Sequence, residues 1–237
     1  HEALIHPALS SLNNPKKALV LGGGDGLAVR ELLKYPSLEA ITLVDLDPLM
    51  TDLFSTQPLL RKINDSSLTN SKVTYENMDA FRWLRNNAQT YDAIIVDFPD
   101  PSNYSIGKLY SITFFQLLKK AIAQKGIAVI QCTSPLAAPN SFWCINTTLN
   151  AAEFSTRPYH NYVPSFGEWG YIMAMPDTIH NWFSEIPAGL KFINTNTINQ
   201  MFYFPNDMRA THLLEPNKLN NQVLVTYFEK EWDHYLN

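Results

Sequence analysis

The sequence predicts an α/β fold built on a doubly wound, mostly parallel sheet, and three observations carry that expectation. Apolar or β-branched runs of strand length alternate with stretches at helical spacing up to residue 135, in the order βαβαβαβαβ. The run at residues 91–97, YDAIIVD, is apolar without alternation, the pattern of a strand covered on both faces. Between residues 17 and 33, KALVLGGGDGLAVRELL, an apolar run breaks into glycines and resumes at helical spacing, which reads as strand, tight turn and helix.

The totals set the frame. With 237 residues, 46% hydrophobic and 17% charged, the chain suits a single domain over 1–237. A net charge of −4 argues against a nucleic-acid partner and suits a cationic substrate. Cys132 and Cys144 lie in apolar surroundings without a CxxC or His spacing, so they read as buried free thiols in a reducing compartment, with no disulfide and no metal site. No stretch approaches the roughly 18 to 20 apolar residues of a membrane span, and no secretory signal is present. The first residues are His1-Glu2-Ala3, without methionine, so a longer parent chain is expected.

In order, residues 1–16 hold Pro7, Pro15 and an Asn pair and read as an extended or partly helical lead-in. After the first strand, glycine turn and helix, residues 39–47 form a β-branched strand ending in Asp45 and Asp47, and Pro48 opens a helix to residue 54. A Ser/Asn-rich loop at 64–70 leads to a third strand at 72–76. Residues 77–79 cap a helix that turns Phe81, Trp83 and Leu84 inward. The strand at 91–97 ends in Asp97-Phe98-Pro99-Asp100-Pro101, two carboxylates held between prolines at the carboxyl end of the sheet. A helix at 111–121, a strand at 126–132 and a helix at 140–150 follow. The runs 154–160 and 169–175 pair as an antiparallel hairpin across 163–167. Residues 176–237 read as a helical extension of short amphipathic helices with Asn/Thr-rich connections at 194–199.

Gly22, Gly24 and Gly26 allow positive φ and close approach of backbone to a ligand, at the sheet edge where α/β proteins bind nucleotides. The loop lacks the Gly-Lys-Ser/Thr of a phosphate-binding P-loop, and Asp25 would face a pyrophosphate with a like charge. The carboxylate fits a cation instead, and a sulfonium nucleoside carries one. Asp45 falls where a ribose-binding acid is expected past the glycines. Asp79 fits either an N-cap or a ligand contact.

Together these motifs resemble the polyamine aminopropyltransferases, the spermidine synthase family, over nearly the whole chain. The matching residues are His1-Glu2 and His6, Gly22 to Gly26 with Arg30-Glu31, Val44-Asp45-Leu46-Asp47, Asp79 with Phe81, and Tyr91-Asp92 to Asp97 followed by Asp100-Pro101. The resemblance implies a Rossmann-like sheet of the AdoMet-methyltransferase kind preceded by a small β-domain. The reaction it implies is transfer of an aminopropyl group from decarboxylated S-adenosylmethionine, a co-substrate, to putrescine, with no tightly bound cofactor. It gives Asp25 the donor's amine, Asp45 the ribose and Asp79 the adenine amino group. Asp97 and Asp100 take the acceptor amine, with Asp100 as proton acceptor, and Glu2 also falls on the substrate.

Where the family usually carries Ile-Pro-Thr-Tyr before the hairpin, this chain has Val163-Pro164-Ser165-Phe166, so a hydroxyl that touches the amine is replaced by Phe166. Glu168 adds a charge that suits a longer or differently spaced amine. This pattern, with Asp100-Pro-Ser-Asn-Tyr104 and Phe142-Trp143, looks most like the bacterial branch in which the synthase domain follows several membrane helices. A homodimer is implied, and a cytoplasmic location at the inner face of the membrane. The alternatives are an AdoMet-dependent methyltransferase, which the Asp-Phe-Pro-Asp-Pro loop disfavours against the Asn/Asp-Pro-Pro-aromatic tetrad of amino-methylating enzymes, and a catalytically silent polyamine-binding domain.

Overall fold

The computed structural model describes residues 1–177, 186–210 and 212–236. The chain begins with helix α1 (Glu2–Leu9), which buries seven of its eight residues and so forms part of a packed layer. Its anchor is polar. His6 is fully buried, 2.8 Å from Glu31 Oε2 and 2.9 Å from the Tyr35 hydroxyl. Glu31 also pairs with Arg30 and Lys34, and although burial opposes its charge, His6 and Lys34 hold its pKa down at about 2.

Strand β1 (Lys17–Gly22) alternates its side chains between two buried faces, Leu19 and Leu21 on one and Ala18 and Val20 on the other. Burial on both faces accounts for an apolar run without alternation. Helix α2 (Leu27–Leu32) follows the glycine turn, and β2 (Ala40–Asp45) pairs with β1 in parallel. Asp47 caps α3 (Pro48–Thr56), with Pro48 at its first position. That helix runs two residues past the expected end at 54, and α4 (Pro58–Ile63) follows it within a stretch without an expected element, burying none of its residues. Next come β3 (Val73–Asn77), α5 (Ala80–Asn86) and β4 (Tyr91–Asp97), the last with the bounds expected.

After the short α6 (Tyr104–Gly107), α7 (Ile112–Ala121) is capped by Ser111. Strand β5 (Ile122–Gln131) starts four residues earlier than its apolar run, with a register irregularity beside β4. Helix α8 (Pro139–Ala151) has no cap of its own; a glutamate ninety residues away, Glu231, accepts from Asn140 N, Ser141 N and Ser141 Oγ at 2.6, 2.9 and 2.7 Å. The hairpin of β6 (Ser155–Val163) and β7 (Gly167–Met175) forms as expected. Phe166 N donates to Val163 O, and Gly167 follows at φ +76°, the left-handed step that closes a three-residue connection.

The extension departs from its reading. Of residues 194–199, expected as a connection, Asn194 caps α9 (Thr195–Met201) and the rest lie within it, because Asn194 and Thr197 form a reciprocal capping box. Helix α10 (Val223–Leu236) is not short, and it carries Glu231. The part of that reading at 178–185 lies outside the described residues.

The sheet order is β3-β2-β1-β4-β5-β7-β6, parallel through β5 and antiparallel at β7 and β6. Its register places one transverse row at the carboxyl ends of the parallel strands. Asn77 faces Asp45, Gly22 faces Asp97, and Tyr171 lies between Gln131 and Tyr159. The pairs Leu21–Val44 and Val96–Ile130 one step below join these into a continuous line. Both cysteines are buried and free.

Candidate active site

The reversal of strand order at β1 and β4 opens the crevice where α/β sheets hold ligands. Gly22, Gly23 and Gly26 stand at φ +81°, +68° and +73°. A Cβ on Gly24 would come within 2.8 Å of Asp45 Cγ, so the loop folds tightly onto that carboxylate. Asp45 is half-buried; its Oδ2 accepts from Gly24 N at 2.9 Å and its Oδ1 from Asp47 N at 2.8 Å. Asp25 accepts from Leu27 N at 2.9 Å, which settles it at the start of α2, and burial raises its pKa.

The loop is gripped from outside by two residues of the Ser/Asn-rich connection at 64–70. Asn64 and Ser67, both buried, donate to Asp25 O at 2.9 Å and to Gly26 O at 2.7 Å. Nothing in their local sequence distinguishes them from solvated loop residues.

Asp97 ends β4 beside the glycines, 3.9 Å from His1 Nε2, and its side chain is 10% exposed. Burial, with the Asp25 and Asp45 charges, pushes its pKa up to about 7. Asp100 lies beyond Pro99, half-buried, with Thr133 Oγ1 3.5 Å from Oδ2; burial raises its pKa to about 6. The loop that carries it is pinned from below. The Tyr110 hydroxyl donates to Pro99 O at 3.1 Å, and Gln131 Nε2 to Phe98 O at 3.3 Å. Asp25, Asp45, Asp97 and Asp100 thus gather at one edge of the sheet, where burial raises the pKa of Asp97 to about 7 and that of Asp100 to about 6. A negative potential with little solvent is a site for cations.

The other expected residues are placed as follows. Asp79 caps α5 by accepting from Arg82 N at 2.9 Å, and Lys108 Nζ is 2.8 Å from its other oxygen. Burial pushes its pKa up, yet Lys108 and the Arg82 N–H outweigh it and leave the carboxyl below its usual range. Both oxygens of Glu2 are engaged by backbone, accepting from Lys191 N, Phe192 N and Ile193 N at 2.8 to 3.0 Å. That arrangement ties α1 to the extension and gives Glu2 a structural role. Phe166 is at the hairpin tip, 63% exposed, its ring 5.1 Å from that of Trp169. Glu168 is paired with His160 at 2.9 Å. The pairing of β7 with β5 continues just past Gln131, where Cys132 N donates to Gly170 O and Gly170 N to Thr133 O.

The sheet order and the acid-lined glycine turn at its switch point place the chain in the doubly wound α/β class. Residues 1–183 match the spermine/spermidine synthase domain, and the chain belongs to that family. It is 50% identical over 236 residues to a polyamine aminopropyltransferase of Leptospira interrogans, covering 100% of this chain and 47% of that protein. It is 51% identical over 235 residues to polyamine aminopropyltransferase 2 of Ralstonia nicotianae, covering 98% and 46%. The chain therefore spans about half the length of the curated relatives it matches. The solved spermidine synthase of Thermotoga maritima shares the fold, with TM-score 0.73 at 22% identity over 99% of this chain and 74% of that one. Among the described residues no helix is long and apolar enough to cross a membrane.

The Asp45 contact yields a first expected result. Asp45→Ala removes the acceptor of Gly24 N and, on the ribose assignment, two hydroxyl contacts. Calorimetry should show methylthioadenosine binding weaker by about 1 to 3 kcal/mol. Unchanged affinity would remove Asp45 from the ribose site.

Proposed function

We propose that the protein transfers the aminopropyl group of decarboxylated S-adenosylmethionine to putrescine or a related amine, giving a spermidine-like product and methylthioadenosine. The observation that carries this reading is the pair Asp97 and Asp100. Two poorly solvated carboxylates with raised pKa values lie at and just past the end of one strand, Asp97 against a glycine turn that lacks the Gly-Lys-Ser/Thr of a phosphate-binding loop. Membership of the synthase family and the names of relatives at about half identity support it.

In this reading Asp25 holds the donor's aminopropyl ammonium, Asp45 its ribose and Asp79 its adenine amino group, with Gly22, Gly24 and Gly26 letting the backbone close on the nucleoside. An intact AdoMet would bring its carboxylate against Asp25, and like charges select for the decarboxylated form. Asp97 and Asp100 hold the acceptor nitrogen, and Phe166 and Glu168 flank its outer end. The acceptor's lone pair attacks the methylene next to sulfur. A C–N bond forms, the C–S bond breaks with its electrons going to sulfur, and the sulfonium leaves as a neutral thioether. Asp100 takes the proton from the attacking nitrogen, and a pKa of about 6 makes it a stronger base than an ordinary aspartate. Positioning supplies most of the remaining acceleration. A homodimer and a place at the cytoplasmic face of a membrane belong to this reading and rest on the resemblance alone.

The test is to incubate the protein with decarboxylated or intact AdoMet and a panel of amines, and to identify products by mass spectrometry. Methylthioadenosine with an aminopropylated amine is the expected result. Adenosylhomocysteine would overturn the reading in favour of methylation, and ligand binding without product in favour of a silent domain.

A further inference from the structure

The described tyrosines with buried side chains satisfy their hydroxyls, with one exception. Tyr35 bonds His6, Tyr91 bonds Thr42, Tyr110 bonds Pro99 O, and Tyr159 donates to Ala3 O at 2.9 Å. Tyr171 is 4% exposed and stacks on Tyr159 at 5.1 Å between centroids, but its hydroxyl has no partner among the described residues. Nor is that oxygen among the polar atoms sealed in the interior without a partner. A buried hydroxyl left unpaired is unfavourable, and one that still reaches open space is available to a ligand.

Its position says which ligand. Tyr171 packs on the face that holds Val20, Ile95 and Val129, and by the two-residue alternation of a strand Asp97 and Gln131 stand on that same face. Asp97, Gln131 and Tyr171 are consecutive members of the transverse row, so two strand spacings, ~10 Å, separate the backbones of Asp97 and Tyr171. Burial and the Asp97 charge both resist ionisation of the phenol, which therefore stays able to donate and to accept.

We propose that the Tyr171 hydroxyl is a specificity-determining contact for the acceptor amine, hydrogen-bonding the amine that Asp97 attracts by charge. This rests on the aminopropyl-acceptor reading of the site. The hydroxyl accepts from an ammonium N–H or donates to a free amine, and so serves the acceptor before and after proton removal without taking the proton itself. It is a binding contact, and it acts on the acceptor side only.

The experiment compares Tyr171→Phe with Tyr159→Phe in the protein saturated with methylthioadenosine, titrating putrescine by calorimetry, with steady-state kinetics alongside. Tyr171→Phe should weaken putrescine binding and raise the amine KM about tenfold, with methylthioadenosine affinity and kcat near wild type. Tyr159→Phe, which loses a structural hydrogen bond, should lower the melting temperature and leave amine affinity unchanged. Unchanged amine affinity in Tyr171→Phe overturns the inference, as does an equal loss for both ligands, which would mark Tyr171 as structural. If the wild-type protein itself fails to bind putrescine, the acceptor reading falls, a result separate from failure of the Tyr171 assignment.

Discussion

Asp100→Asn is expected to lower turnover by roughly 10²- to 10⁴-fold while methylthioadenosine binds as in the wild type. The substitution keeps the shape and a hydrogen-bonding group facing Thr133, and Tyr110 still pins the loop through Pro99 O. What is lost is the base. Wild-type activity should climb as pH rises through about 6, where Asp100 gives up its proton, and Asp97 extends that rise toward 7. The Asn variant should lose the limb near 6, and its residual rate should keep rising at alkaline pH, where solvent supplies unprotonated amine. If the two carboxylates served only to attract a cation, the variant would recover its rate at saturating amine. Saturation kinetics across a pH series separates the two cases, and full turnover at neutral pH would take the proton-acceptor role away from Asp100.

Gly22→Ala should destabilise the fold by about 2 to 4 kcal/mol and abolish nucleoside binding. Two costs add there. The residue stands at φ +81°, and a Cβ would press into the Asp97 carbonyl oxygen while lying 3.1 Å from Phe98 Cδ1. That carbonyl belongs to a strand paired on both sides and has no freedom to retreat. Gly167→Ala separates the terms, because Gly167 has a similar φ of +76° with nothing within 4 Å of its Cβ. Its loss should be about 1 kcal/mol. Thermal melts of both variants check the difference; equal losses would mean that φ strain alone acts at Gly22.

The sequence made the central sheet legible because strands buried on both faces must be apolar throughout, and YDAIIVD could hardly be read otherwise. The acids at the strand ends were legible for a related reason, as charges that interrupt such runs where α/β folds bind ligands. Side chains whose meaning depends on distant backbone were not. Glu2 reaches amides at residues 191–193, Glu231 caps a helix ninety residues upstream, and Asn64 with Ser67 grips the glycine turn. Such pairings carry no local signal. Glu168 reads in sequence as a lone charge, and its His160 partner is set by the pairing of β6 with β7. In sequence Tyr171 is one more apolar residue of a strand, and only its unpartnered hydroxyl sets it apart.

The transverse row also governs which changes of length this chain can absorb. One extra residue within β2, β1, β4, β5 or β7 would advance its row member by ~3.3 Å and turn the side chain to the opposite face of the sheet. A single codon inserted inside a strand would therefore remove Asp45, Asp97, Gln131 or Tyr171 from the site as surely as a substitution, with the strand's apolar composition hardly altered. Codons added at 164–166, ahead of β7, would lengthen the hairpin and leave every member in line. Insertional scanning of the gene would thus outline the site as a band of intolerance inside the strands, bordered by a permissive tip.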